Sequence, residues 1–471
     1  MTKFLLLPLA AIMREHHDFI ASDSFLPSQI GEMVSIFVSY DHRLLQLKRA
    51  LDWAQIESVM THHWQVAGKN VSSGRGLSFP VSFYARLLVL MSLQGFDSRQ
   101  MEQYISESVV ARLFLEIREP LQFQVRDHSS IARAQAALGE KGYQEVNQLI
   151  VKQAVRFGFA KLETLSSDTT VQEPSIGYPH EAGILRGVAQ RIERAAQKLA
   201  KKGIEGSAQV VGKTKEVLKK VKHYYLFAKG EEGKEQALRE VVRQSEEMLA
   251  AAQELAAQVG SKKDQVIASA VKKIEAMKKF GEELIPQIEY WLETGKVAVG
   301  KLLHPGITEA RAIVKNKSGK KSEFGVKWLI NRLWGGYVFG EVVAGHSSEG
   351  AMPLVALAAY RKIFGEEATP EMMVYDRGGD EIKARDGLEK EGVKKIGIQP
   401  KGKKPWSIVE ADQAEAMSHR GQTEGVIGSL KSKKYEFQQG RQRSNESLKA
   451  AGQRSILGLN LNNLVRDLSG K

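Results

Sequence analysis

Apolar residues recur at helical spacing through the first third of the chain. Those between residues 44 and 56 fit one helical face, and residues 81–93 predict a second, more buried helix that ends at Gly95. Asp97 is a candidate N-cap for a third helix, and a fourth is expected to start near His128. Helices joined by short glycine turns are compatible with a DNA-binding module, although plain helical bundles show the same pattern more often.

A polar, β-branched stretch follows the helical region. Leu162, Leu165 and Val171 flank the segment Ser166–Thr170. This pattern predicts a strand that ends on the acid Asp168.

The helical period returns at about residue 183 and lasts for more than a hundred residues. Apolar residues recur every 3.5 positions from Leu238 to Val259 and again from Ile267 to Leu284. The pattern predicts an antiparallel hairpin of two helices, each about 25 residues and about 40 Å long. Because β-type patterns occur on both sides, we interpret the segment as an insertion. Its apolar stripe suits a structural or dimerisation role better than DNA reading.

Beyond Pro305 the pattern becomes α/β. Strands are predicted at 324–333 and 337–344, and Gly335-Gly336 between them indicates a hairpin. The remaining elements are predicted at 354–364 (helix), 372–375 (strand), 381–391 (helix), 394–398 (strand) and 411–430 (helix).

Composition narrows the chemistry. The 471 residues carry a formal net charge of +13, and residues 394–471 alone hold 15 basic and seven acidic side chains. This clustered charge points to a polyanion, either nucleic acid or an anionic membrane surface. The chain has no cysteine, which excludes disulfides, cysteine-ligated metals and a cysteine nucleophile. The apolar run at residues 4–13 is too short to span a bilayer, and we expect it to pack on the protein, or to result from an early start codon, rather than to act as a signal peptide.

Three acids stand apart from the solvated majority. Asp168 and Asp376 lie at predicted strand ends, where loops expose functional side chains, and Glu424 lies on a predicted helix. Arg420, Glu424 and Lys431 project from one face of that helix. The stripe is either an exposed ion-paired surface or a metal-binding carboxylate flanked by cations that bind phosphates.

These motifs carry a resemblance. The spacing Arg-x3-Glu-x6-Lys, with Asp168-Thr169-Thr170-Val171 upstream and Tyr375-Asp376-Arg377-Gly378 between, resembles the DDE transposases of bacterial insertion sequences. It is most similar to the group with a Tyr-x2-Arg-x3-Glu-x6-Lys signature, although the Tyr of that signature falls on Met417. The resemblance covers roughly residues 40–180 and 318–440. Further similar segments are Asp41-His42, Gly95–Gln100, Glu323–Lys327 and Gly397–Gly402.

The resemblance implies a fold and a site. The fold class is α/β, with an RNase H-like catalytic domain (a mixed sheet flanked by helices) split by a long α-helical insertion and preceded by an all-α domain. The implied catalytic and metal-binding acids are Asp168, Asp376 and Glu424, with two Mg²⁺ or Mn²⁺ ions as cofactors. Where such enzymes usually carry an Asn and an Asp, this chain reads Gly345-His346-Ser347-Ser348-Glu349. Arg420 and Lys431 are the implied DNA contacts.

The basic C-terminal residues are expected either to follow the DNA backbone or to form a solubilising tail. Backbone binding would weaken steeply with salt. The predicted DNA-contacting residues are Arg377, Arg420, Lys431, Lys433, Lys434, Arg441, Arg443 and, within the tail, Arg454.

The predicted domains follow from these patterns. They are 1–150, a helical DNA-binding domain; 151–182 and 311–440, the two parts of the catalytic domain; 183–310, a coiled-coil-like insertion; and 441–471, a basic tail.

Three carboxylates suit two-metal phosphoryl transfer, because two Mg²⁺ ions about 3.5–4 Å apart repel each other and shared carboxylates offset that repulsion. The resemblance therefore implies a transposase that binds terminal inverted repeats, cleaves the element ends and joins the 3′-hydroxyls to target DNA. We expect a homodimer on DNA in the bacterial cytoplasm, associated with the nucleoid and without a membrane partner. Two alternatives stay open: a catalytically silent transposase-derived DNA-binding protein, and a non-transposing RNase H-like nuclease.

Overall fold

The computed structural model describes residues 37–69, 79–118, 120, 128–177, 179–260, 264–317, 320–402, 404–438 and 442–470. The apolar run at 4–13 and the predicted DNA contact Arg441 therefore lie outside the described residues. No helix among these residues combines the length and apolar character needed to cross a bilayer. The N-terminal helices are α1 (Arg43–Ala50), α2 (Trp53–Val66), α3 (Val81–Gln94), α4 (Ser98–Glu107), α5 (Val109–Phe114) and α6 (His128–Arg156).

Side-chain caps and a glycine set the N-terminal helix ends. The stripe predicted at 44–56 is divided into α1 and α2, because the Asp52 carboxylate accepts a hydrogen bond from the Gln55 backbone N–H and begins α2. Asp97 caps α4 as predicted. Gly95 ends α3 with a φ of 71°, and a Cβ there would lie 1.8 Å from the carbonyl oxygen of Lys434. Glycine is thus required where α3 meets the C-terminal part of the chain.

Six strands form one mixed open sheet: β1 (Lys161–Gln172), β2 (Arg311–Lys317), β3 (Lys320–Trp334), β4 (Val338–Val342), β5 (Met372–Tyr375) and β6 (Lys395–Ile398). The order is β2-β3-β1-β5-β6, with β4 also paired to β3. β1, β5 and β6 run parallel, whereas β3 runs antiparallel to β1, β2 and β4. The predicted β3–β4 hairpin is confirmed.

Two strand predictions need correction. β1 does not end at Asp168, since the residues from Asp168 to Gln172 continue in register with Ile330 to Val326 of β3. Strand β2 was not predicted, because its basic side chains hide the strand pattern; it pairs with the first half of β3.

Four helices lie between β1 and β2 in the chain: α7 (Glu181–Ala200), α8 (Ser207–Leu226), α9 (Gly230–Val259) and α10 (Gln265–Thr294). The predicted hairpin is α9 and α10, each 30 residues long. The two helices approach closely at Gly281, where a Cβ would lie 2.6 Å from Leu249 Cδ1. Helices α7 and α8 complete a four-helix bundle with an apolar core of its own.

The remaining helices are α11 (Met352–Phe364), α12 (Ile382–Lys390), α13 (Glu410–Leu430) and α14 (Asn445–Leu468). Helix α14 corrects the predicted basic tail, because it packs against α1, α3, α6 and β4 and shares one apolar core with the N-terminal helices and the sheet. Arg454 is 5% exposed and donates hydrogen bonds to the Phe96 carbonyl and the Glu436 carboxylate, both at 2.9 Å. The prediction that Arg454 follows a DNA backbone is therefore wrong.

Candidate active site

The two aspartates occupy matching positions on neighbouring parallel strands. Ser166 of β1 pairs with Val374 of β5, and continuing this register by two residues places Asp168 beside Asp376. Both side chains are half-buried. The Asp376 carboxylate accepts the Gly378 N–H at 2.7 Å and so begins a short 3₁₀ turn directly after β5.

Helix α13 covers the same face of the sheet as these aspartates. Ser166 Oγ lies 2.7 Å from Thr423 Oγ1, and Asp168 follows Ser166 by two residues on this face of β1. Thr423 precedes Glu424, so the fold brings the helix that carries the third acid against the strand that carries the first. The Glu424 side chain is 57% exposed and lies 3.3 Å from Arg420 Nη2. Part of the predicted stripe is thus an exposed ion pair.

The donor set suits a divalent metal, since carboxylates are the ligands that Mg²⁺ prefers. Within the described part of the chain, however, no group of three or more Asp, Glu or His side chains is close enough to hold one metal ion. The Glu424 carboxylate contacts the Arg420 guanidinium, while the Asp376 carboxylate accepts a hydrogen bond from the backbone of the turn after β5. Metal binding by Asp168, Asp376 and Glu424 stays a prediction.

A fourth acid, Glu349, lies at this site and was not predicted as a functional residue. It follows β4 and accepts hydrogen bonds from Thr169 Oγ1, at 3.0 Å, and from the Tyr375 hydroxyl. A Cβ on Gly378 would lie 2.8 Å from Asp376 Oδ1 and 3.2 Å from Glu349 Cβ, so Glu349 is a neighbour of Asp376. The sequence signal was an acid in the turn after the β3–β4 hairpin.

The hydrogen-bond partners of Glu349 stabilise its ionised form. Burial opposes its ionisation, but hydrogen bonds from Lys327 and Tyr375 outweigh burial and lower the pKa of Glu349. Burial, followed by the charge of Glu349 and those of Asp168 and Asp376, raises the pKa of Tyr375. Tyr375 therefore remains a neutral hydrogen-bond donor.

The predicted DNA-contacting residues differ in exposure and in the partners they contact. Lys431 Nζ lies 3.7 Å from Glu323 Oε1, so Lys431 does not join the pair formed by Arg420 and Glu424. Lys434 Nζ donates to Asn462 Oδ1 at 2.6 Å, and burial, with the charge of Arg43, lowers the pKa of Lys434. The exposed members of the set are Arg377, Arg420, Lys433, Lys434 and Arg443.

One protein family matches the N-terminal part of the chain. A family described as Transposase domain (DUF772) matches residues 32–136, a range that includes α1–α5 and the beginning of α6. The match supports a transposase, and hence an enzyme that acts on DNA. It does not extend to the sheet or to its acids. No curated protein and no solved structure matches the chain.

Proposed function

We propose that the protein is a DDE transposase of the RNase H-like superfamily. It binds the terminal inverted repeats of an insertion sequence, cleaves DNA at the element ends and joins the 3′-hydroxyl ends to target DNA, as a homodimer associated with the bacterial nucleoid. The observation that carries the proposal is the parallel pairing of β1, which carries Asp168, with β5, which Asp376 follows, together with the contact of β1 with α13, the helix of Glu424. The transposase-domain match in the same chain supports it.

The order of the strands also supports this proposal. In the RNase H-like fold the first acid lies on the first strand and the second at the fourth strand. Here Asp168 lies in β1 and Asp376 follows β5. β5 is the fourth strand in chain order when β2, which pairs only with the first half of β3, is set aside.

Asp168, Asp376 and Glu424 would hold two Mg²⁺ or Mn²⁺ ions, which supply activation of the attacking oxygen and stabilisation of the leaving 3′-oxygen. Arg420 would bind a DNA phosphate. Its exposed pair with Glu424 is worth only about 0.3–0.5 kcal/mol, so a DNA phosphate can take over the guanidinium. Glu424 is then released to turn toward the aspartates. Glu349 holds the Thr169 and Tyr375 side chains that flank Asp168 and Asp376.

The test uses Asp168→Asn, Asp376→Asn and Glu424→Gln, assayed with Mg²⁺ or Mn²⁺ on duplexes that carry the sequences flanking the gene. Each substitution should abolish cleavage and joining while DNA binding stays near the wild-type level. Glu410→Gln, at an exposed position on the first turn of α13, is the matched control and should cleave normally. Full cleavage by any of the three site variants would contradict its assignment.

A catalytically silent DNA-binding protein is the second candidate. The exposed pairing of Glu424 with Arg420 favours it, because the third acid is then occupied by a cation of the protein itself. Wild-type protein that binds the end duplexes but cleaves none of them with either metal would support this candidate. Cleavage without joining would instead indicate a non-transposing nuclease.

A further inference from the structure

A basic groove runs along the helical bundle between α7 and α10. It has a volume of about 440 Å³. Three cations of α7, a fourth directly after its last residue and one of α10 line it, together with small and apolar side chains that include Ala195 and Met277. The five cations are Arg191, Arg194, Lys198, Lys201 and Lys273.

The groove concentrates positive charge that the protein does not neutralise. Some other cations of the bundle are paired, as in the 2.8 Å contact of Lys202 with Asp264 and the 3.0 Å contact of Lys220 with Glu240. None of the five groove cations forms an ion pair with any residue that the structure describes. Unneutralised charge in a concave surface attracts anions strongly.

The spacing of the α7 cations fits an extended polyanion better than a single phosphate. Arg191, Arg194, Lys198 and Lys201 follow one another at intervals of three and four residues, and so lie on one face of the helix. Together they span about 15 Å at 1.5 Å per residue. One strand of duplex DNA presents about four phosphates over the same length.

One end of the groove meets a predicted DNA contact. Around the position that a Cβ of Gly306 would occupy, Arg191 Nη2 lies at 1.9 Å and the carbonyl oxygen of Arg443 at 2.8 Å. Arg191 thus packs beside the segment of Arg443, whose side chain is exposed. The Arg191 end of the groove therefore lies beside the segment that carries a predicted DNA contact.

We propose that the α7–α10 groove binds the phosphate backbone of duplex DNA, as a contact surface separate from the acids. This inference rests on the proposed function because both take DNA as the substrate. Contacts of this kind position DNA without reading its sequence. They would give the bundle a direct role on DNA besides its structural one.

The test is the variant Arg194→Gln/Lys198→Gln/Lys201→Gln, which leaves Arg191 to its packing at Gly306. The control variant, Lys215→Gln/Lys219→Gln/Lys222→Gln, removes the same charge from exposed positions of α8. The probe is a fluorescein-labelled duplex of random sequence, titrated by anisotropy at several salt concentrations. The groove variant should bind about tenfold or more weakly, and its log–log salt slope should decrease by about 2 to 3, or about 0.9 for each lost phosphate contact. The control should change both quantities much less.

Equal losses of DNA affinity in the two variants, or no loss in the groove variant, would overturn the inference. So would a wild-type protein that does not bind the duplex. An altered oligomeric state with unchanged DNA affinity would also overturn it, because the groove would then be an interface between copies. Circular dichroism checks folding, and Lys198→Gln alone, with a slope change of about 0.9, replaces a triple variant that fails to fold. DNA binding that depends on the groove, without metal-dependent cleavage, would contradict the proposed function and support this inference. Normal cleavage with groove-independent binding would do the reverse.

Discussion

Lys327 and Glu349 form an ion pair near the aspartates Asp168 and Asp376. Lys327 Nζ lies 2.7 Å from Glu349 Oε1, and the Lys327 side chain is only 5% exposed. The pair joins β3 to the turn after β4, and its carboxylate also receives hydrogen bonds from β1 and β5. Four separate parts of the sheet domain therefore meet at one carboxylate.

Replacing this carboxylate should destabilise the protein. Glu349→Gln leaves the buried Lys327 ammonium without its counter-charge, and we expect a loss of about 1–3 kcal/mol in the free energy of unfolding, below the value for a fully buried pair because Glu349 is 39% exposed. Urea unfolding measures the loss. The exposed Glu366→Gln is the control and should change stability by less than about 0.5 kcal/mol. Equal stability of Glu349→Gln and the wild type would contradict the role of the pair.

The same pair predicts a pH dependence. The pKa of Glu349 is lowered on folding, so its contribution to stability is fully present above the unfolded pKa of about 4.3 and is lost as pH falls through the folded value. The stability difference between the wild type and Glu349→Gln should therefore be constant near neutral pH and shrink below about pH 4.3. Urea unfolding of both proteins over a pH series checks this. A difference that grows on acidification would have the wrong sign.

Arg420 should affect DNA binding and leave stability almost unchanged. Arg420 and Glu424 are 45% and 57% exposed, so Arg420→Ala should cost less than about 0.5 kcal/mol in unfolding free energy. Its DNA affinity should fall, with the salt slope reduced by about 0.9. Arg420→Lys keeps the charge and should retain that slope. If the Ala variant binds DNA with wild-type affinity and slope, Arg420 does not contact a phosphate.

Arg454 and Arg443 should behave differently, although the sequence analysis predicts the same role for both. Arg454→Ala removes hydrogen bonds to Phe96 and Glu436, and should cost about 2–3 kcal/mol in unfolding free energy. Arg443→Ala, at an exposed position, should leave stability unchanged and weaken DNA binding. Thermal unfolding and anisotropy separate the two effects. The reverse result would restore Arg454 as a DNA contact.

Gly95 offers a test of the contact between α3 and the segment of Lys434. Gly95→Ala combines a left-handed backbone with a Cβ placed 1.8 Å from a carbonyl oxygen. Gly68 has nearly the same φ, 70° against 71°, but open space around it, so Gly68→Ala isolates the backbone strain of about 1 kcal/mol. We expect Gly95→Ala to be clearly the less stable of the two in urea. Equal stabilities would mean that the Lys434 segment moves aside easily.

Local patterns predicted most of the elements. The apolar stripe of α3, the Asp97 cap, the Gly335-Gly336 turn and the heptads of α9 and α10 depend on residues close in sequence, and each was confirmed. The site acids Asp168 and Asp376 could be chosen because they lie at the ends of predicted strands and within the motifs that carry the resemblance. Their side-by-side placement follows from a parallel register that no local pattern specifies.

What the sequence did not reveal depends on contacts between distant residues. The pairing of Lys327 with Glu349 requires both the β3–β4 hairpin and the turn after it. Helix α14 was misread because its buried face is partly polar. Its Asn460, for example, is buried with its amide donating to Asn147 Oδ1 at 2.7 Å and to the Val338 carbonyl. Composition alone cannot distinguish such satisfied polar groups from a solvated tail.

The burial of α14 has a consequence for synthesis. Its Arg454 bonds to a residue 358 positions earlier, and at about 5–20 residues per second the ribosome needs about 20–70 s to make the intervening chain. Throughout that interval the apolar face of α3 that α14 covers has no permanent partner. A nascent chain stalled in this interval would therefore expose that face to chaperones or to other chains.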